Sequence, residues 1–253
     1  MENFEPLPPT VQLQPPPPPP WQAPHRHLAP LWHTVLLILI LVGFSALGAR
    51  SSAHLTGREG RIPMYLGTII WEWLLLGYVW IGLRLRRIRL RDVIGGRWAS
   101  AGDFIRDIAI AIGFMIVALF VLGVVGRLLG LEGKAQASEA KRIFGFLVPR
   151  NRVEVLLWIG VSSTAGFCEE VIFRGYLQQQ LKLLFRNTAA GLVLSAILFG
   201  MSHGYEGGRR MVLIAVYGAL FGLLALWRKS LRPGMFAHAI YDTMSGVLMR
   251  NIT

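Results

Sequence analysis

Apolar residues occur in seven segments along this chain, and polar or glycine-containing stretches separate them. Several of the segments are nearly all apolar and approach the roughly 20 residues that a helix needs to cross the hydrocarbon core. We predict helices at residues 31–49, 64–83, 105–129, 153–173, 189–201, 211–227 and 235–249. The pattern therefore predicts an all-α, multi-pass transmembrane helical bundle of about seven helices.

Composition supports a membrane protein. Of the 253 residues, 53% are hydrophobic, and the mean hydropathy of +0.49 is not that of a soluble domain. The single cysteine excludes an internal disulfide. The net charge of +12 comes from basic residues scattered between apolar runs, which favours contact with anionic lipid headgroups over nucleic-acid binding.

Arginines concentrate between the second and third segments, where Arg84–Arg97 holds six of them against the single Asp92. Basic loops beside membrane helices stay in the cytoplasm, so we expect this loop and the N-terminus there, and the plasma membrane if the source is bacterial. The segment Glu132–Arg152 should then lie outside, although it is also basic.

The first 30 residues hold 11 of the 14 prolines, including the run Pro15–Pro20. Proline fixes φ and removes a backbone donor, so residues 1–30 are predicted to form a disordered proline-rich tail. A docking site for a proline-binding module is the alternative. Residues 31–253 are predicted to form the transmembrane domain, with a catalytic core at about 150–250.

Three charged residues stand at the end of the fourth segment: Glu169, Glu170 and Arg174. Each costs about 2.5–3.5 kcal/mol in hydrocarbon, so their presence indicates a use. Glu170 and Arg174 are four residues apart and can pair on one helical face, while Glu169 is turned by roughly 100° and can face a cavity. The alternative is a helix end whose charges reach the membrane surface.

Two histidines lie in later apolar helices, His203 and His238, and Asp242 follows His238 by four residues and can orient its ring. Lone histidines in apolar helices often only pack, but here they accompany a carboxylate pair. Ser202 should point away from His203, and the two acids beside Cys168 disfavour a reactive thiolate. Water activation by a carboxylate remains, and the same side chains could instead hold a metal.

Taken in order, Glu169-Glu170-x-x-x-Arg174, Phe199-x-x-x-His203 and His238-x-x-x-Asp242 resemble the CPBP intramembrane endopeptidases, which include the CAAX prenyl endopeptidases and the Abi-type proteins. The resemblance covers roughly residues 153–249. It implies proteolysis without a cofactor, in which Glu169 and His203 activate water and His238 and residue 242 bind the oxyanion. Glu170 and Arg174 would support the site.

One residue departs from the family pattern, because many members carry Asn where this chain has Asp242. An ionised Asp cannot donate to an oxyanion, so Asp242 must be protonated or act by holding His238. This departure keeps a divalent metal such as zinc, and hence a metalloendopeptidase, open.

The predicted topology sets a second problem. It puts Glu169 and His238 in the cytoplasmic half and His203 near the far end of its helix. The three side chains can then meet only in a cavity near the middle of the membrane, unless one of the membrane spans is miscounted.

We expect a membrane-embedded or lipidated peptide as substrate, including a prenylated CAAX-type one, and no nucleic-acid partner. Bacteriocin self-immunity, with proteolysis of the toxin, is another implication of the resemblance. The rival from another class is a membrane scaffold, or a carrier in which Glu72, Glu169 and His203 relay protons.

Overall fold

The computed structural model describes residues 27–52, 60–133, 138, 145 and 147–250. Across these ranges the regular structure is helical and no strand occurs. The predicted all-α, multi-pass helical bundle is confirmed. Residues 1–26, which make up most of the predicted proline-rich tail, lie outside the described residues.

The helices follow one another in a simple order along the chain. They are α1 (Leu31–Ser52), α2 (Arg61–Leu85), α3 (Leu90–Ile94), α4 (Ala101–Leu128), α5 (Arg152–Glu169), a π-helical segment (Glu170–Leu177), α6 (Gln178–Phe185), α7 (Thr188–Ser202), a 3₁₀ turn (Gly204–Glu206), α8 (Gly208–Arg228) and α9 (Arg232–Met249). The seven longest correspond to the seven predicted helices.

Within the described ranges, five helical segments are long and apolar enough to cross a bilayer: α1, α2, α4, α8 and the continuous rod from Arg152 to Phe185. Their outer faces carry large exposed apolar side chains, such as Leu128 (81% exposed) and Phe120 (73%). Exposing so much apolar surface to water would be unfavourable, whereas lipid chains can cover it. The protein is an integral membrane protein.

The fourth predicted helix does not end where the sequence suggested. It was predicted to stop at Phe173, but α5, the π-helical segment and α6 form one rod of 34 residues that ends at Phe185. Glu169 and Glu170 therefore lie near the middle of the rod rather than at a helix end. All eight residues of the π-helical segment are buried, so neighbouring helices replace the lipid that would otherwise surround its charges.

Glycines allow the helices around this segment to approach closely. A Cβ on Gly166 of α5 would lie 2.8 Å from the backbone carbonyl oxygen of Met235 and from the backbone nitrogen of Ala239, both in α9. A Cβ on Gly175 would clash with Val93 and would lie 3.0 Å from Leu231. These contacts hold the first turns of α9 against the middle of the rod, where the two glutamates are.

Helix α1 is fixed to the other side of the rod by buried hydrogen bonds. The Tyr176 hydroxyl lies 2.9 Å from Thr34 Oγ1 and 3.1 Å from His33 Nδ1. Gln180 accepts from the backbone N–H of Leu28 at 2.6 Å and donates to the carbonyl oxygen of Ala29 at 3.0 Å. The residues just before α1, which the tail prediction included, are thus held against the bundle.

Candidate active site

A cavity of about 400 Å³ lies between the rod and helices α4, α7, α8 and α9. The ionisable side chains in its wall include Glu169, His203, Glu206, Arg210, His238 and Asp242. The other lining side chains are mainly aromatic and aliphatic, among them Tyr217, Tyr241, Trp158, Leu122, Leu213 and Ile214. Because Glu169 is midway along the rod, the side chains that could carry the chemistry meet beside the middle of the rod and not at its end.

Behind the cavity wall, Glu170 and Arg174 form a fully buried ion pair with 2.9 Å between Oε1 and Nη1. Arg174 Nη2 also donates to the Gly218 carbonyl oxygen at 3.3 Å, and the guanidinium carbon lies 4.2 Å from the Phe199 ring centroid. A buried charge needs such compensation from the protein, because water cannot reach it. The sequence predicted this pair from its spacing, and the structure forms it.

His238 stands between three carboxylates. Its Nδ1 lies 3.2 Å from Glu170 Oε1, and its Nε2 lies 3.6 Å from Glu169 Oε2 and 3.5 Å from Asp242 Oδ2. The ring also stacks on Phe221, with 5.2 Å between centroids. Both ring nitrogens face acceptors, and an imidazole can donate from both only as the imidazolium ion.

The carboxylates that orient the His238 ring differ from the one that the sequence predicted. Asp242 was expected to orient the ring, but Glu170 holds Nδ1, while Asp242 shares Nε2 with Glu169. Glu170 thereby links Arg174 to His238 through a single oxygen, Oε1. The sequence could not show this link, because Glu170 and His238 are 68 positions apart.

His203 caps the C-terminal end of α7 and lines the same cavity. Its Nδ1 lies 2.9 Å from the Phe199 carbonyl oxygen, which can only accept, so Nδ1 carries the hydrogen and Nε2 is left as the basic nitrogen. The carboxyls of Asp242 and Glu206 line the same cavity as the His203 ring.

Ser202 does not point away from His203 as predicted, because His203 leaves the helix; Ser202 Oγ lies 3.2 Å from His203 Nδ1. Its hydroxyl donates to the Phe199 carbonyl oxygen at 2.8 Å, and it faces the nitrogen that already carries a hydrogen. His203 is therefore not placed to take the Ser202 proton. Cys168 is fully buried and is not among the residues that line the cavity.

Glu206 is a cavity residue that the sequence reasoning missed. It follows His203 by three positions, in the 3₁₀ turn between α7 and α8. Burial raises the pKa of its carboxyl above the ordinary value of 4.5, although His203 and Arg210 oppose the shift. An acid just after the histidine motif was the available signal, but the sequence did not show that the turn folds back onto the site.

Glu72 enters the same region from the N-terminal half. It is buried on α2, its Oε2 atom has no hydrogen-bond partner in the part of the chain that the structure describes, and its carboxyl interacts electrostatically with those of Glu169 and Asp242. Among the described residues, no group of three or more His, Cys, Asp or Glu side chains is arranged to hold a metal ion.

The predicted site residues thus form two groups. Glu169, His203, His238 and Asp242 line one cavity, and Glu170 and Arg174 support His238 from behind it. The structure brings all six into one region, although they come from three separate helical segments. Their roles in a reaction remain predictions.

Comparison with known protein families gives a match at residues 151–244, to the family described as type II CAAX prenyl endopeptidase Rce1-like. The match supports the assignment to the CPBP family that the three motifs indicated. The matched segment contains all six predicted site residues and excludes α1, α2 and α4. No curated protein and no solved structure matches the chain.

Proposed function

We propose that the protein hydrolyses a peptide bond of a membrane-associated substrate, with Glu169 as the base that activates water. The observation that carries the proposal is the cavity beside the middle of the rod, in which Glu169 and His203 share a wall with His238, whose Nε2 is 3.6 Å from Glu169. A general base must lie within hydrogen-bond reach of the water that it deprotonates, and the Glu169 carboxylate faces a cavity that can hold one.

In the proposed reaction, the Glu169 carboxylate takes a proton from water as the water oxygen attacks the carbonyl carbon. His203 Nε2 assists by accepting a hydrogen bond from the same water. The Nε2–H group of an imidazolium at His238 stabilises the charge that develops on the carbonyl oxygen, while Nδ1–H stays bonded to Glu170. Glu169 then returns the proton to the leaving amine, the C–N bond breaks, and the original carboxylate is restored.

The supporting roles follow from the contacts. Glu170 and Arg174 fix the His238 ring through Nδ1. An ionised Asp242 cannot donate to the oxyanion, so we assign it the role of holding His238 at Nε2. The largely apolar remainder of the cavity wall suits a lipid-bearing or apolar peptide, and prenylated peptides are the first class to test.

The test is cleavage of a fluorogenic peptide by the purified protein in lipid vesicles, with prenylated and unprenylated versions of one sequence. Glu169→Gln keeps the size of the side chain but removes the base, and we expect a loss of about 10²–10⁴-fold in kcat. His203→Ala should lower kcat as well. Glu132→Gln, the same chemical change on an exposed residue, is the matched control and should leave the rate unchanged.

Two results would contradict the proposal. If Glu169→Gln cleaves at the rate of the control, Glu169 is not the base; if the unsubstituted protein cleaves none of the peptides but supports proton-coupled uptake, the carrier alternative is correct. Activity measured after exhaustive chelation separates a metal-dependent reaction from the one proposed, which should survive chelation.

A further inference from the structure

A second buried charged cluster lies at the arginine-rich end of the bundle, away from the cavity. Its centre is Asp107 of α4, which is 1% exposed. Asp107 accepts a hydrogen bond from Trp98 Nε1 at 2.9 Å, and its carboxylate lies 3.2 Å from Arg232 Nε and 3.6 Å from Arg228 Nη2. The cluster therefore joins the starts of α4 and α9 to the end of α8.

The charges of this cluster do not balance. Two guanidinium groups share one carboxylate, which leaves a net charge of about +1 because arginine does not lose its proton in proteins. Arg228 Nε and Arg232 Nη1 are enclosed by protein and have no hydrogen-bond partner among the described residues. Because these two nitrogens are enclosed, a ligand cannot reach them, and an anion would instead neutralise the surplus positive charge of the two guanidinium groups.

The guanidinium groups are held in place rather than free to swing into water. Arg232 lies over the Trp98 ring with 5.0 Å between the guanidinium carbon and the ring centroid, and its Nε donates to Ser230 Oγ at 3.2 Å. Arg228 lies over the Trp227 ring at 5.5 Å. The side chains of Arg228 and Arg232 keep 22% and 14% of their surface exposed, so a ligand can reach them.

The cluster sits at the depth where lipid headgroups lie. Trp98 and Trp227 are 42% and 68% exposed, and exposed tryptophans at helix ends mark the membrane–water interface. Ser230 contacts the Ile94 carbonyl oxygen, so the arginine-rich segment before α4 packs beside the same corner. This end of the bundle is also the one that the positive-inside rule places in the cytoplasm, where anionic lipids are concentrated.

We propose that Arg228 and Arg232 bind the phosphate of an anionic phospholipid, with Asp107 and Trp98 holding the two guanidinium groups in a fixed fork. Arginine suits phosphate because its planar N–H groups meet two oxygens at once. The net positive charge of the cluster favours a headgroup with a net negative charge over a zwitterionic one. The apolar faces of Trp98 and Trp227 favour a lipid over a soluble phosphate.

The experiment measures lipid binding to the purified protein in detergent by thermal stabilisation and by native mass spectrometry. Phosphatidylglycerol and phosphatidylcholine are the lipid probes, and glycerol phosphate is the soluble one. We expect phosphatidylglycerol to bind best, and Arg232→Gln to weaken its binding about tenfold, or about 1.4 kcal/mol, because the variant loses one charge-assisted contact to the phosphate. Arg106→Gln is the control, because Arg106 is exposed at the same end and pairs with Asp103 instead.

The proposal is wrong if Arg106→Gln weakens binding as much as Arg232→Gln, or if both lipids bind alike. Glycerol phosphate that competes at the lipid's own concentration would show a soluble-phosphate site instead, and would overturn the assignment to lipid. If Arg232→Gln does not fold, Arg228→Gln tests the same fork at its more exposed side chain and should also weaken binding. None of these readouts depends on peptide cleavage.

Discussion

The two buried charged clusters of this protein use the same residue types under different conditions. At the cavity, Glu170 and Arg174 are at most 1% exposed and lie 2.9 Å apart. At the arginine-rich end, Asp107 is equally buried, but Arg228 and Arg232 keep part of their surface exposed and lie 3.6 and 3.2 Å from it. The first cluster has more acids than bases once Glu169 and Asp242 are included, and the second has more bases than acids.

The difference shows that the exposure of a charged side chain decides which groups can stabilise it. Arg174 has only protein around it, so a carboxylate, a carbonyl oxygen and aromatic rings must replace water, and the pair serves to fix His238. Arg228 and Arg232 keep part of their side-chain surface exposed, so groups outside the protein can complete their hydrogen bonds. Removing a partner should therefore cost much more in the first cluster than in the second.

Arg174→Leu should have the largest effect on stability. It leaves the Glu170 carboxylate buried without its counter-charge, which costs about 3–5 kcal/mol when one partner of a buried pair is removed. We expect a strongly lowered thermal unfolding midpoint in detergent, or no folded protein. Replacing Glu170 by Leu as well should recover much of the loss, because the pair is then exchanged for apolar side chains.

The Arg174→Leu comparison has its own control. Arg152→Gln removes an arginine from an exposed position at the start of the same rod and should change the midpoint little. A double variant that is no more stable than Arg174→Leu alone would show that the loss comes from packing around Arg174 and not from the unpaired carboxylate.

Asp107→Asn should have an intermediate effect. Asparagine still accepts the Trp98 hydrogen bond, but it no longer balances the two arginines, and the cost should be about 1–3 kcal/mol. Unfolding in neutral detergent, with and without added salt, measures it, because salt screens the repulsion between the part-exposed arginines. A loss of stability as large as that of Arg174→Leu would contradict the expectation that a missing partner costs less in the part-exposed Asp107 cluster than in the fully buried Glu170–Arg174 pair.

Glu206→Gln should have the smallest effect, and only in its pH dependence. Burial raises the pKa of Glu206, so the folded protein holds this proton more tightly than the unfolded chain does. The stability that this proton contributes is complete below the ordinary value of 4.5 and is lost as pH rises through the folded pKa. Glutamine removes this loss, so the variant should gain stability relative to the unsubstituted protein as pH increases. Unfolding midpoints that change equally with pH in Glu206→Gln and in the unsubstituted protein would contradict this prediction.

Several elements were predictable because their causes are local. Apolar runs gave the seven main helices, and the spacing of four residues gave the Glu170–Arg174 pair. Three short motifs in order identified the family, which the match at residues 151–244 supports. Each of these signals lies within one helix or in the order of helices along the chain.

Other features were missed because they depend on contacts between distant residues. The rod continues past Phe173 because neighbouring helices bury the π-helical segment, which local hydropathy does not report. Glu170 orients His238 across 68 positions, and Glu206 reaches the cavity only because a 3₁₀ turn folds back. The Asp107 cluster likewise joins residues from three helices.

The sequence by itself determined that the chain is a helical membrane protein with a glutamate, histidine and aspartate motif set, because hydrophobic periodicity and i, i+4 spacing act within single helices. Only the tertiary structure decided which carboxylate meets which nitrogen and at what depth. The physical reason is that a buried charge is stabilised by the partners that packing brings to it, and those partners come from other helices.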